Sequence, residues 1–91
     1  MSKVNLAITG CMGRMGQQLI KSSKADKNIK LTTLTESKLV KKKISGIKVS
    51  LNNENSFRNI DLIIDFTIPK CTFEILKIAS KLKKRVVIGT T

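Results

Sequence analysis

The stretch "ITGCMGRMGQQLI", residues 8–20, sets Gly10, Gly13 and Gly16 at every third position between two apolar runs. A strand that stops at Gly10 must turn sharply into a helix, and glycine permits the positive φ such a turn can need. Gly13 lets a ligand approach the main chain, and Gly16 lets the new helix lie close to the first strand. The start of that helix offers free N–H groups and the positive end of its dipole, a seat for a diphosphate. Arg14, in the first turn, adds a cation. The spacing is GxxGxxG rather than the commoner GxGxxG, because position 12 is Met. Glycines so spaced also serve plain packing of a helix on a strand, and the pattern alone does not separate the two.

A second residue bears on the choice. Glu36 follows Gly16 by twenty positions, at the end of a second apolar run, where a carboxylate can accept from a ribose 2′-hydroxyl. Lys38 and the run Lys41, Lys42, Lys43 offer the opposite chemistry, the capture of a 2′-phosphate, although such a run also reads as a solvated loop. NAD and NADP therefore both stay open at this level. Asp65 invites an acid–base role, yet a carboxylate that ends a buried strand serves as often to cap or brace the chain. The two cysteines, Cys11 and Cys71, belong to no CxxC or Cys/His cluster, and with no histidine in the chain no zinc site is expected. Neither a leader-like segment nor an apolar span of membrane length occurs, so the expectation is a cytoplasmic protein with reduced thiols and no membrane partner.

These residues need a frame to bring them together. "VNLAIT", Val4 to Thr9, is a β-rich run halted by Gly10. Met15, Leu19 and Ile20 recur at helical spacing from Arg14 to about Ser23. A second strand is predicted over Ile29 to Thr35, a surface loop over 38–46, and a short third strand at "IKVS". Ile60 to Phe66 carries Leu62, Ile63 and Ile64 in succession, as a strand buried on both faces requires. Pro69 suits a first helical position, with Phe73, Ile75, Leu76, Ile78, Ala79 and Leu82 as the apolar face of the helix it opens. Arg85 to Ile88 is a last strand. Strands alternating with helices imply right-handed βαβ units and an α/β fold, a doubly wound parallel sheet of four to five strands. The loops "GCMGRMG", "TES", "DFTIP" and "GTT" then gather at one edge of the sheet, where ligands of such sheets bind.

Composition agrees with this frame. Hydrophobic residues make up 41% of the 91 positions and aromatics only 3%, which suits an aliphatic sheet core. The net charge of +12 would fit a nucleic-acid partner, but it comes from 15 lysines and only 3 arginines. Arginine is the bidentate reader of phosphates and base edges, so no specific nucleic-acid partner is expected.

"GCMGRMG", "TES", "DFTIPKCT" and "VVIGTT", in that order and at these intervals, resemble the amino-terminal domain of the dihydrodipicolinate reductase family, over practically the whole chain. The resemblance implies a Rossmann-like dinucleotide-binding domain, residues 1–91, of an NAD(P)H-dependent oxidoreductase of lysine and diaminopimelate biosynthesis. It implies that Gly10, Cys11, Met12, Gly13, Arg14 and Met15 cradle the cofactor phosphates and that Glu36 holds the adenosine ribose. Phe66 would lie near the bound cofactor, and Gly89, Thr90 and Thr91 would approach the nicotinamide. Ser37 stands where the family often carries an arginine for the 2′-phosphate, which favours NADH over NADPH. The family continues past "GTT" into a substrate domain with a histidine-rich catalytic motif, and this chain has no histidine. No catalytic residue is therefore expected within it. By the same resemblance the small-molecule substrate, and assembly as a homo-oligomer, belong to a full-length enzyme, of which these residues are a fragment or truncated product.

Overall fold

The β-branched and leucine-rich runs form strands, and the intervening 3.6-period segments form helices. The computed structural model describes residues 3–89. In chain order the elements are β1 (Val4–Thr9), α1 (Arg14–Ala25), β2 (Ile29–Glu36), β3 (Lys43–Ile44), β4 (Ile47–Leu51), α2 (Glu54–Phe57), β5 (Leu62–Asp65), α3 (Pro69–Leu82) and β6 (Arg85–Ile88). The sheet order is β3-β4-β2-β1-β5-β6, with β1 paired parallel to both β2 and β5. That is the doubly wound arrangement, with one strand more than the expected four to five. The extra strand is β3, which lies within the segment expected as a surface loop. It pairs antiparallel with β4 through a two-residue turn at Ser45 and Gly46, both at positive φ (55° and 80°). Turns of that kind match the twist of a hairpin.

Side chains alternate across β1 and divide the core into two layers. Leu6 and Ile8 pack with Cys11, Ile20, Leu34 and Val49 on the α1 face. Ala7 packs with Phe57, Ile60, Ile63, Ile75 and Ala79 on the face covered by α2 and α3. Three expected core positions are corrected, Met15, Phe73 and Leu76, the last 36% exposed at the margin of the α3 face that Thr72, Ile75 and Ala79 bury. Met15 is 59% exposed, and α1 instead buries Gly16, Ile20 and Ser23. Phe73 is 69% exposed, since α3 presents Thr72, Ile75 and Ala79 inward and leaves Phe73 off that face. The expected Ile60 to Phe66 strand is shorter at both ends, because Ile60 and Phe66 lie in the turns that bracket β5.

Strand register sets the position of every loop at the carboxyl edge. Ser50, Thr35, Thr9, Asp65 and Ile88 stand side by side across the five parallel strands. The next residues along those strands are Leu51, Glu36, Gly10, Phe66 and Gly89. Three main-chain bonds carry the ladder one step further: Gly10 N–H to Thr35 O (3.0 Å), Phe66 N–H to Thr9 O (3.2 Å) and Gly89 N–H to Asp65 O (2.7 Å). Residues far apart in sequence are thereby fixed in one row along that edge.

Candidate functional site

That row opens into a groove of about 240 Å³ lined by Gly10, Gly13, Glu36, Ser37, Phe66, Thr67, Ile68 and Cys71. The three glycines have three different reasons. Gly10 sits at φ +68°, and a Cβ there would lie 3.0 Å from the carbonyl of Phe66. At Gly16 a Cβ would lie 2.6 Å from Gly10 O and 2.9 Å from Cys11 Cα, so the first turn of α1 can rest on the end of β1 only without a side chain. Gly13 differs from both. Its φ of −74° is open to any residue, and a Cβ would meet nothing closer than Gly10 O at 3.5 Å. The protein itself does not require glycine there.

The hydrogen bonds of the loop refine the picture of a phosphate cradle. Gly10 and Cys11 N–H both donate to Thr35 O, and Gly13 N–H donates to Gly10 O. Met12 N–H donates to Glu36 Oε2 at 2.7 Å. The donors from Gly10 to Gly13 are thus engaged within the protein. Gly13 caps α1 without a side chain, and the first turn holds no acidic residue. The N–H groups of Arg14, Met15 and Gly16 are the helix-end donors that an anion would meet.

The opposite wall is braced from below by Asp65. Its buried carboxylate accepts from Thr9 Oγ1 (2.5 Å), Thr67 Oγ1 (2.5 Å), Thr67 N–H (3.0 Å) and Thr72 Oγ1 (2.5 Å). Burial alone would raise its pKa, but the hydrogen bonds from Thr67, Thr72 and Thr9 outweigh it and hold the carboxyl below its ordinary value. The bracing role is the one its surroundings favour, since its oxygens are turned to three threonines. Cys11 is also buried. Burial first, and the Glu36 charge second, push its thiol up to about 11, so the side chain belongs to the core and only its main chain borders the loop.

Of the residues expected at the site, Gly10, Gly13, Glu36 and Phe66 line one groove. Cys11, Met12, Arg14 and Met15 adjoin it, the last two with exposed side chains. Gly89 lies against Phe66, whose ring occupies the space a Cβ would need. Thr90 and Thr91 lie outside the described residues. Thr67, Ile68 and, from the first turn of α3, Cys71 join the groove from outside the expected set, although "DFTIP" marks the loop of the first two as one that reaches this edge. Lys41, Lys42 and Lys43 surround a separate depression of about 450 Å³ with Lys48 and share no wall with the groove. No helix among the described residues is long and apolar enough to cross a membrane.

Fold and groove together define a doubly wound α/β domain of the nucleotide-binding class. Within that class the chain belongs to the family described as dihydrodipicolinate reductase, N-terminus, whose model it matches over residues 4–91. It is 70% identical over 91 residues to the 4-hydroxy-tetrahydrodipicolinate reductase of Pelagibacter ubique (strain HTCC1062), covering all of this chain and 35% of that protein. With the enzyme of the same description from Campylobacter curvus (strain 525.92) it shares 35% identity over 88 residues, which is 97% of this chain and 35% of that one. The chain therefore spans about a third of the length of these relatives. Among solved structures, a dipicolinate-bound dihydrodipicolinate reductase from Paenisporosarcina sp. TG-14 superposes with a TM-score of 0.80 at 25% identity, over 98% of this chain and 38% of that one. Aspartate semialdehyde dehydrogenase II of Vibrio cholerae shares the fold at a TM-score of 0.73 and 17% identity, over 99% of this chain and 31% of that one.

Proposed function

We propose that this chain is the dinucleotide-recognition part of a dihydrodipicolinate reductase. The observation that carries the reading is Gly13, a glycine demanded by no contact of the protein, at an uncapped helix start that shares a groove with Glu36 and Phe66. The groove suits the adenosine-ribose and diphosphate portion of NAD(P)H. The first-turn N–H groups and Arg14 would receive the diphosphate, and Glu36 a ribose hydroxyl. Phe66, Gly89 and the residues after it would flank the nicotinamide. The cofactor, when bound, supplies a hydride, and the protein supplies orientation and electrostatics. In the intact protein the acceptor would be the cyclic substrate that the relatives' name describes. A general acid and a carboxylate-binding pair would come from the rest of that protein, as the 91 residues hold no histidine.

NADH is the favoured partner. The Glu36 charge opposes a 2′-phosphate, Ser37 offers it no cation, and the Lys41 to Lys43 cluster surrounds its own depression. Titration of the chain with NADH, followed by nicotinamide fluorescence, tests this. Glu36→Ala should weaken NADH by about 1–3 kcal/mol, the scale of a charged hydrogen bond. Affinity that is unchanged in that variant, or that collapses with salt as steeply as phosphate-backbone binding does, would remove the reading.

A further inference from the structure

Within the glycine loop one main-chain donor is held differently from the others. Gly10, Cys11 and Gly13 give their N–H groups to backbone carbonyls, whereas Met12 gives its N–H to a side chain, Glu36 Oε2, at 2.7 Å. Met12 is held from its other side as well, since Gln17 Nε2 donates to Met12 O at 2.9 Å. Its peptide units are thus fixed by one side chain from β2 and one from α1. Glu36 is itself fixed, being the last residue of β2 and paired with Leu51 of β4. Only one of its carboxylate oxygens is engaged among the described residues, and the other remains to accept from a ligand.

We infer that Glu36 is a positioning residue for the glycine loop: through Met12 N–H it holds the loop in its receiving form, independently of any contact with the ribose. Without this acceptor Met12 N–H loses its one partner among the described residues, and Met12 is then held only from its carbonyl side, by Gln17. A hydrogen bond from a part-buried amide to a charged acceptor is strong enough to matter here. Two jobs are thereby assigned to two oxygens of one carboxylate. The binding half of this inference rests on the dinucleotide reading; the loop half does not.

The test is amide hydrogen exchange by NMR on the ligand-free chain, with Leu34, buried in the same strand as Glu36, as the reference for global opening. Relative to Leu34, Met12 should exchange about tenfold faster or more in Glu36→Ala and stay within about threefold of the unaltered chain in Glu36→Gln, which keeps an acceptor but not the charge. NADH titration of the same variants should show the same order, a loss of about tenfold or more for alanine and a much smaller loss for glutamine. Met12 exchange indifferent to Glu36→Ala overturns the inference, as does equal loss of NADH affinity in both variants. If the unaltered chain fails to bind NADH while Met12 responds as expected, the dinucleotide reading falls and the positioning role stands.

Discussion

Replacing Asp65 with alanine removes the acceptor that ties β1, the β5–α3 turn and the first turns of α3 together. Four hydrogen bonds are lost, but not all of their donors are stranded. The Thr67 and Thr72 hydroxyls lie 3.3 Å from each other, and Thr72 also reaches Ile68 O at 3.3 Å. The Thr9 hydroxyl and the Thr67 N–H have no second acceptor among the described residues. Two buried donors left without partners, at about 1–3 kcal/mol each, give a loss of about 2–6 kcal/mol, a large share of the stability of a domain this size. An asparagine side chain would keep one acceptor oxygen, and the threonine hydroxyls can turn to meet its amide, so Asp65→Asn should cost less. That substitution also carries a pH signature. The folded-state pKa of Asp65 lies below its ordinary value, so the charge contributes stability that is fully present above the unfolded pKa. That contribution disappears as pH falls through the depressed folded value. The gap between the unaltered chain and Asp65→Asn should therefore be widest near neutrality and narrow steadily below about pH 4, where an unfolded aspartate takes up its proton. Urea unfolding followed by far-ultraviolet circular dichroism measures it, since the chain has no tryptophan or tyrosine to report by fluorescence. An Asp65→Asn chain as stable as its parent at pH 7, or a gap that does not change with pH, would refute the account.

The remaining expectations concern the groove. Gly16→Ala should lower stability by about 1–3 kcal/mol, because its new methyl group meets main-chain atoms that cannot swing aside; Gly13→Ala should leave the urea midpoint nearly unchanged yet weaken NADH binding. A thiol reagent at about pH 8 should modify Cys71 rapidly and Cys11 only on unfolding, given the buried Cys11 thiol held up to about 11, and NADH should slow the reaction at Cys71. Mass spectrometry of the labelled chain distinguishes these outcomes. Residues 1–91 alone should show no NADH consumption with the reductase substrate above a protein-free control, because positioning that substrate against the nicotinamide needs groups these residues do not contain.

Much of the fold is legible because single residues carry unambiguous geometry. Gly10 has to turn, Pro69 has to open a helix, and the run Leu62 to Ile64 has to be covered on both sides. Glu36 can be placed at the sheet edge by counting from Gly16, and the register row explains why counting suffices: each strand ends within one residue of its neighbour. Other features depend on contacts that spacing does not encode. The bond from Met12 to Glu36 spans 24 positions and joins a main-chain donor to a side chain, so no local pattern announces it. Asp65 looks the same in sequence whether it faces a substrate or three threonines. Phe73 and Met15 fit a helical period yet fall outside the buried stripe, because period fixes spacing but not the width of the face that a sheet will cover. The β3–β4 hairpin does leave a trace in "ISGI", where Ser-Gly between two isoleucines is a turn signal, but the adjoining lysines make the segment look solvated. The helix Glu54–Phe57, capped by the Asn53 side chain on Ser56 N–H at 2.9 Å, is too short to have a period at all.

The two margins of the sheet are chemically unlike, and this gives the domain a direction of growth. On one side β3 is two residues long, begins with Lys43 and has Lys41, Lys42 and Lys48 beside it, so any strand that approached would meet concentrated like charge and almost no ladder to join. On the other side β6 presents a full strand edge, with Val87 51% exposed and Ile88 48% exposed. Among the described residues, a further strand, whether from a longer chain or from a second copy, finds a full row of hydrogen-bonding groups with apolar cover at this margin. The sheet is thus a one-ended template: sealed by electrostatic repulsion where the hairpin turns back, and open to extension beyond β6.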